Sequence, residues 1–281
     1  MRKCLTLAFL IVFGACVGQC LYYAKDGFTI RRIHTLTNLI QEDFSLEARQ
    51  ALNQPFRYLG RGRQCFAFES EDGKYVLKFP RTDIYKTPLW AKALPVFRYR
   101  QKLEKTHKAR EAFILDSFRI SFHELKEQTG LLALHLGQSP PSSQSLRVID
   151  ALGCSHHLKL WATPFALQIK RPILMQEFIK ALKAKKEEKA KQILDALLIV
   201  IKERAEKGIL NRDRSFLRNY GFDGEKAYQI DVGSFFKRPD LEPAARYEKS
   251  LRDSIDPIQE WLSQNSPEML SYLNEQLQEL L

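Results

Sequence analysis

Apolar spacing changes several times along the chain, and each change predicts an element. After Arg2 and Lys3, residues 4–24 are almost free of charge and apolar on every helical phase. A helix apolar all round belongs in a core or in lipid. A basic start before such a run is the layout of a signal peptide or a membrane anchor. Residues 27–54 mix charge with helical spacing and predict one or two short helices. The period then shortens to alternation. "FRYLGRGRQCFAFESEDGKYVLKFP" predicts strands at about 56–60, 64–70 and 74–79, with Asp72-Gly73 as a hairpin turn. Pro80, Pro88 and Pro95 punctuate a connector. Leu115, Phe118, Phe122 and Leu125 then predict a helix over about 97–127, with Glu104 and Glu111 on its buried-facing edge.

Further on, "GLLALHLG", "LRVIDALG", "HLKLW" and "FALQIKRPILM" read as strands of the same sheet. "EFIKALKAKKEEKAKQILDALLIVIKERAEKG" reads as one long helix closed by Gly208. "YGF", "DGEK" and "AYQIDVGSF" predict a second hairpin, and residues 241–281 a mainly helical tail. The class is α+β, without internal repeats.

Composition narrows the partners. The chain has 281 residues, 44% hydrophobic and 27% charged, with a formal net charge of +11. That is globular and suits an anionic partner. No zinc-finger spacing, helix-turn-helix signature or aromatic-rich basic motif is present, so nucleic acid is not expected. The basic run "KALKAKKEEKAK" is interrupted by Glu187 and Glu188 and reads as a solvated helix face. Of five cysteines, three lie in the first 24 residues. Cys65 and Cys154 read as two buried thiols, with a single bridge as the alternative. His156 and His157 lack partners at ligand spacing and read as loop residues.

The candidate chemistry is dispersed. Gly60 and Gly62 at a hairpin tip let the backbone approach a phosphate closely, with N–H groups free to donate. Lys78 is a lone cation in the apolar strand "YVLKF"; turned inward it needs an anion. Glu111 could supply it, in competition with Glu104 and Glu124. Asp213 and Asn219 sit in "NRDRSFLRNYGF", and Asp231 follows an apolar strand, a placement suited to Mg²⁺ shared with substrate phosphates. Taken singly, each also reads as an ordinary turn, edge or helix-surface residue.

The order of these features resembles the protein-kinase-like superfamily over about residues 56–235. The best-matched segment is "KGILNRDRSFLRNYGFDGEKAYQIDVG", which is similar to a kinase catalytic loop, hairpin and Asp-Phe-Gly segment. The resemblance implies a bilobal fold: an antiparallel N-lobe sheet with one helix over 25–178, and a reduced, mainly helical C-lobe over 179–281. It implies that Asp213 is the catalytic base, that Asn219 and Asp231 hold Mg²⁺, and that Lys78 holds ATP phosphates. Glu111 would orient Lys78, and Gly60 and Gly62 would cover the phosphates.

Departures are visible. Asp213 and Asn219 are six residues apart where the family has five, Asn211 replaces a histidine, Cys65 the third glycine, and Val232 the phenylalanine. Only 48 residues follow Gly233, without an Ala-Pro-Glu-like segment. The expected activity is ATP- and Mg²⁺-dependent phosphoryl transfer to a hydroxyl of a small molecule, glycan or lipid-linked acceptor. A membrane-associated or exported pseudokinase is the alternative. The apolar start of the chain implies an anchored or exported protein.

Overall fold

The alternating run folds as expected into β1 (Phe56–Arg61), β2 (Cys65–Ser70) and β3 (Tyr75–Pro80), each within a residue of its expected bounds. They pair antiparallel in sequence order. One face carries Phe56, Phe66, Phe68, Leu77 and Phe79, all fully buried. Phe28 packs on it in T-shaped contacts with Phe66 and Phe68, ring centroids 5.3 and 5.0 Å apart. This aromatic layer is the core of the first of two compact units, Met1–Ile84 with His135–Ala166. The second unit is Tyr85–Leu134 with Leu167–Leu281. The computed structural model describes residues 2–33, 44–81, 84, 97–137 and 144–278. The expected Pro88–Pro95 connector and the loop tip at 138–143 lie outside these residues.

Further strands are β4 (Leu131–His135), β5 (Ser145–Ile149), β6 (Ser155–Lys159) and β7 (Phe165–Ile169). The seven-stranded sheet has the order β4-β7-β3-β2-β1-β5-β6, and the division between the units runs through β4 and β7. The sheet is not purely antiparallel as expected, because β5 lies parallel to β1. The chain reaches β5 by a long crossover rather than a hairpin, and such a return permits a parallel pairing. His156 and His157 are strand residues of β6, not loop residues.

The apolar start is one helix, α1 (Arg2–Ala24). Leu10, Val12, Phe13, Val17, Leu21 and Tyr23 are exposed on it. Among the described residues no helix is long and apolar enough to cross a membrane; on α1 the described side chains begin at Leu10. The helix ends in a knot of polar contacts. Asp26 and Gly27 take left-handed conformations, φ 49° and 72°. Asp26 accepts from the Tyr58 hydroxyl at 2.7 Å and pairs with Arg61 at 3.2 Å. Lys25 Nζ and His156 Nε2 lie 2.9 and 2.8 Å from Asp150 Oδ2, and the N–H groups of Leu152 and Cys154 donate to Asp150 Oδ1 at 3.0 Å. Burial works against the Asp150 charge, but the donors from His156, Lys25 and the backbone together outweigh it and hold the carboxyl at about 2. Cys65 is half-buried and Cys154 exposed, both free thiols, so the expectation of two buried thiols fails for Cys154 and no bridge joins them. A short helix, α2 (Leu46–Ala51), capped by Ser45, precedes β1.

The second unit opens with α3 (Phe97–His123), four residues shorter than expected, and the short α4 (Lys126–Thr129). The expected long helix is two: α5 (Leu174–Lys183) and α6 (Glu187–Glu206). The break is a Schellman turn. Lys185 takes φ 52°, its N–H donates to Leu182 O, and the Lys186 N–H donates to Ala181 O, both at 3.0 Å. Glu187 and Glu188 then meet the positive end of α6. Gly208, φ 67°, follows α6 as expected. The chain continues through β8 (Ile209–Asn211), β9 (Tyr220–Phe222), β10 (Ala227–Gln229) and β11 (Phe235–Lys237) into α7 (Pro243–Asn265) and α8 (Pro267–Gln278). Phe178, Ile193, Leu197, Ile201, Leu251 and Leu262 lie at the centre of the helical core.

Candidate active site

In the first unit the register lines up three of the relevant positions. Gly60 faces Ala67 across β1–β2, and Ala67 faces Lys78 across β2–β3. Directly opposed residues share a sheet face. Gly60, Ala67 and Lys78 therefore form one row on the face away from the Phe66–Phe68 core. A bulge at Leu59 makes this possible: Tyr58 opposes Phe68, but Gly60, two residues on, opposes Ala67. Lys78 is half-buried. A Cβ built on Gly60 would meet nothing within 4 Å, so packing leaves that spot open.

The hairpin tip departs from expectation at one point. The Gly62 N–H is not free, because it donates to Cys65 O at 2.9 Å and closes the turn. Arg81 braces the tip: its N–H donates to Gln64 O at 2.7 Å, its Nη1 to Gly62 O at 3.3 Å, and its guanidinium lies 5.1 Å from the Phe66 ring centroid.

In the second unit, two short ladders fix the backbone flanking Asp213, Asn219 and Asp231. β8 pairs antiparallel with β11, Asn211 opposite Phe235, and the Arg212 N–H donates to Ser234 O at 2.9 Å. β9 pairs with β10, Tyr220 opposite Gln229, and the Ile230 N–H donates to Asn219 O at 2.9 Å. Asn219 thus stands across from the residue that precedes Asp231. Asp213 Oδ1 accepts the Ser215 N–H at 2.9 Å, and Phe216 turns into the core, 7% exposed. Asn211 Oδ1 accepts the Asp213 N–H at 3.0 Å, which fixes the loop where it leaves β8.

The three side chains differ in what they still lack. Asn219 is 8% exposed, and its Nδ2 is buried without a hydrogen-bond partner. Buried amides are ordinarily satisfied, so the natural partner of this NH₂ is a hydrogen-bond acceptor or a water; only the flipped assignment would turn the amide oxygen toward a cation. Asp231 Oδ1 accepts only the long Gly233 N–H bond, 3.3 Å. Neither Asp213 nor Asp231 forms an ion pair among the described residues, in a chain of net charge +11. Among the described residues no three His, Cys, Asp or Glu side chains are grouped to hold a metal. Asp231 and Asn219 fit Mg²⁺ in the mode that takes its remaining ligands from substrate phosphates and water.

Two serines that the sequence reading passed over set the position of the Asp231 segment. Ser117 on α3 donates to Val232 O at 2.6 Å and accepts from the Phe235 N–H at 2.6 Å. Ser121 adds a bond to Val232 O at 3.2 Å. Both serines are fully buried. Their signal was polar residues at i and i+4 beside an apolar stripe. Glu111, also on α3, is half-buried and makes no ion pair among the described residues, whereas Glu124 is bound to Lys237 at 2.6 Å and Glu104 is engaged.

A further link ties the loop to α7. Pro257 lies inside that helix and has no N–H, so the Asp253 carbonyl loses its helical partner. Arg214 Nε donates to that carbonyl at 3.4 Å, and its Nη2 lies 3.3 Å from Asp256.

No family model matches the chain, and no curated protein matches it. Among solved structures the chain is similar to WbdD in a crystal structure at 2.2 Å, with 17% identity over 75% of this chain and 37% of that one, and a TM-score of 0.39. It is also similar to a second structure, described as the bifunctional kinase-methyltransferase WbdD, with 17% identity over 71% and 33% of the two chains and a TM-score of 0.33. The chain thus spans about a third of the length of the structures it matches, and a likeness this distant decides nothing about activity.

Proposed function

We propose that the chain is an ATP- and Mg²⁺-dependent phosphotransferase of bilobal, protein-kinase-like fold, acting on a hydroxyl of a small molecule, glycan or lipid-linked acceptor. The observation that carries this reading is the placement of Asn219, whose backbone carbonyl accepts the Ile230 N–H, beside Asp231, a carboxylate without an ion pair among the described residues. Asp231 and Asn219 would hold Mg²⁺, which supplies charge neutralisation on the phosphates. Lys78 would bind phosphate oxygens from the row it shares with Gly60; the expected ion pair between it and Glu111 is not formed among the described residues. Asp213 accepts the proton of the acceptor hydroxyl. The new bond joins the acceptor oxygen to the γ-phosphorus, the bridging oxygen–phosphorus bond breaks, and ADP leaves with that electron pair. Such chemistry needs positioning and fixed charge more than covalent help. In this reading α1, whose apolar side chains Leu10, Val12, Phe13, Val17 and Leu21 are exposed, lies against a lipid bilayer and makes the protein membrane-anchored.

Melting curves of the full chain with ATP and Mg²⁺, together with ADP release, test the proposal. A nucleotide-dependent stabilisation is expected, with Asp231→Asn and Lys78→Met each lowering turnover on the order of a hundredfold or more. Unchanged binding and turnover in both Asp231→Asn and Lys78→Met would sink the proposal. The closed Gly62 N–H favours the second reading, an inactive pseudokinase, and the absence of any nucleotide-dependent stabilisation would select it.

A further inference from the structure

Directly after Asp213 the chain forms one wall of a cavity of about 310 Å³, whose other wall is the α7 turn around Pro257. Ser215 and Phe216 line it from the loop, and Glu260, Trp261 and Gln264 from the helix. We propose that this cavity is the acceptor subsite and that it takes a saccharide ring; the inference rests on the phosphotransferase reading above.

Four observations carry it. First, the cavity is joined to the candidate base: Ser215, in its wall, donates its N–H to Asp213 Oδ1 at 2.9 Å. Asp213 itself does not line the cavity, but a ring seated there contacts the loop one residue on from it. Second, the volume lies at the low end of ligand pockets, roughly 300–1,000 Å³, which suits one ring with a substituent rather than a peptide. Third, the lining pairs aromatic surface with short-range hydrogen-bonding groups. Trp261 is half-buried and held in T-shaped contacts by Phe178 and Phe216, centroids 6.2 and 6.4 Å away. The electron-rich faces of such rings attract the polarised C–H groups of a sugar. Glu260 and Gln264 are exposed at its edge, and hydroxyls both donate and accept. Fourth, the charge is wrong for an anionic acceptor. Arg214, the cation of the lining, is already paired with Asp256 and the Asp253 carbonyl, while Glu260 has no cationic partner among the described residues.

The sugar can be a free glycoside or the headgroup of a lipid, and the experiment separates the two. The full chain is incubated with ATP and Mg²⁺ and with methyl glycosides of glucose, mannose, galactose and glucosamine, or with vesicles bearing glycosylated lipids. ADP release and the mass of the acceptor are followed. At least one sugar should accelerate ADP release and gain a phosphoryl group. Gln264→Ala should raise its KM about tenfold, the value of one lost hydrogen bond, and melting shows that the variant is folded. Acceleration by vesicles alone assigns the headgroup source. If ATP with Mg²⁺ stabilises the protein but no sugar in either form is phosphorylated, the saccharide inference is overturned and the phosphotransferase reading stands. A phosphorylated sugar whose KM ignores both Gln264→Ala and Trp261→Phe overturns the site. If nucleotide binding itself fails, tryptophan fluorescence titrated with the same glycosides decides: quenching lost in Trp261→Phe supports the subsite, and no quenching overturns it.

Discussion

Ser117→Ala is the substitution that best tests how the candidate site is built. The hydroxyl bridges two backbone groups of the Asp231 segment, Val232 O and Phe235 N–H, at 2.6 Å each. The two losses are unequal. Val232 O keeps Ser121 Oγ at 3.2 Å. The Phe235 N–H loses a buried acceptor outright, and an orphaned buried donor costs about 1–3 kcal/mol. The expected destabilisation is about 2 kcal/mol, or roughly 4–8 °C in Tm for a cooperative unit of this size. Ser121→Ala, which removes only the longer bond and a helix-internal one, should cost about 1 kcal/mol or less. Because the bridge sets the segment that carries Asp231, Ser117→Ala should also weaken the ATP- and Mg²⁺-dependent stabilisation, and Ser121→Ala much less. Thermal denaturation followed by circular dichroism, with and without nucleotide, reads both effects. A Tm shift in Ser117→Ala below about 1 °C, or one no larger than in Ser121→Ala, would refute the reasoning.

Two more expectations follow from described contacts. Asp150→Asn removes a carboxyl held at about 2 against an ordinary 3.8, which at 1.36 kcal/mol per pH unit is about 2 kcal/mol at neutral pH. Since the folded value is the lower one, that stability exists above pH of about 4 and fades as pH falls toward about 2; wild-type and variant melting curves should converge over that window, and a constant gap would contradict the assignment. Gly221→Ala places a Cβ 2.6 Å from Arg171 Cβ and 3.0 Å from Ile230 Cγ2, so the hairpin behind Asn219 must shift, at about 1–3 kcal/mol; a melting temperature equal to wild type would show that the strand gives way freely.

What was legible in the sequence was periodic. The alternation at 56–80 and the stripe from Leu115 to Leu125 gave elements close to their observed bounds, because burial on one face leaves that trace. What was not legible depended on backbone conformation or on distant partners. The α5–α6 turn has lysine where a Schellman turn usually has glycine, so the run looked continuous. The parallel β1–β5 pairing depends on a crossover, which no local pattern encodes. At the candidate site, residue types suggested Asp213, Asn219 and Asp231, but not the two ladders that flank them. The parts that hold them were silent for the same reason: Ser117 acts on residues more than a hundred positions away, and Arg214 answers a carbonyl freed by Pro257.

The knot at the end of α1 limits how far part of this molecule can wander. A flexible linker lets a tethered domain roam over roughly 5–6 Å times the square root of its length. Here nothing serves as a leash: Lys25 and Asp26 are bound by side chains of the sheet, and Phe28 is already in the core. Arg61, where β1 reaches the glycine hairpin, is itself paired with Asp26. If α1 lies in lipid as proposed, these contacts would hold that hairpin close to the headgroups. For a lipid-linked acceptor, its surface density would then govern how often the two meet, while a soluble nucleotide would still arrive from the bulk.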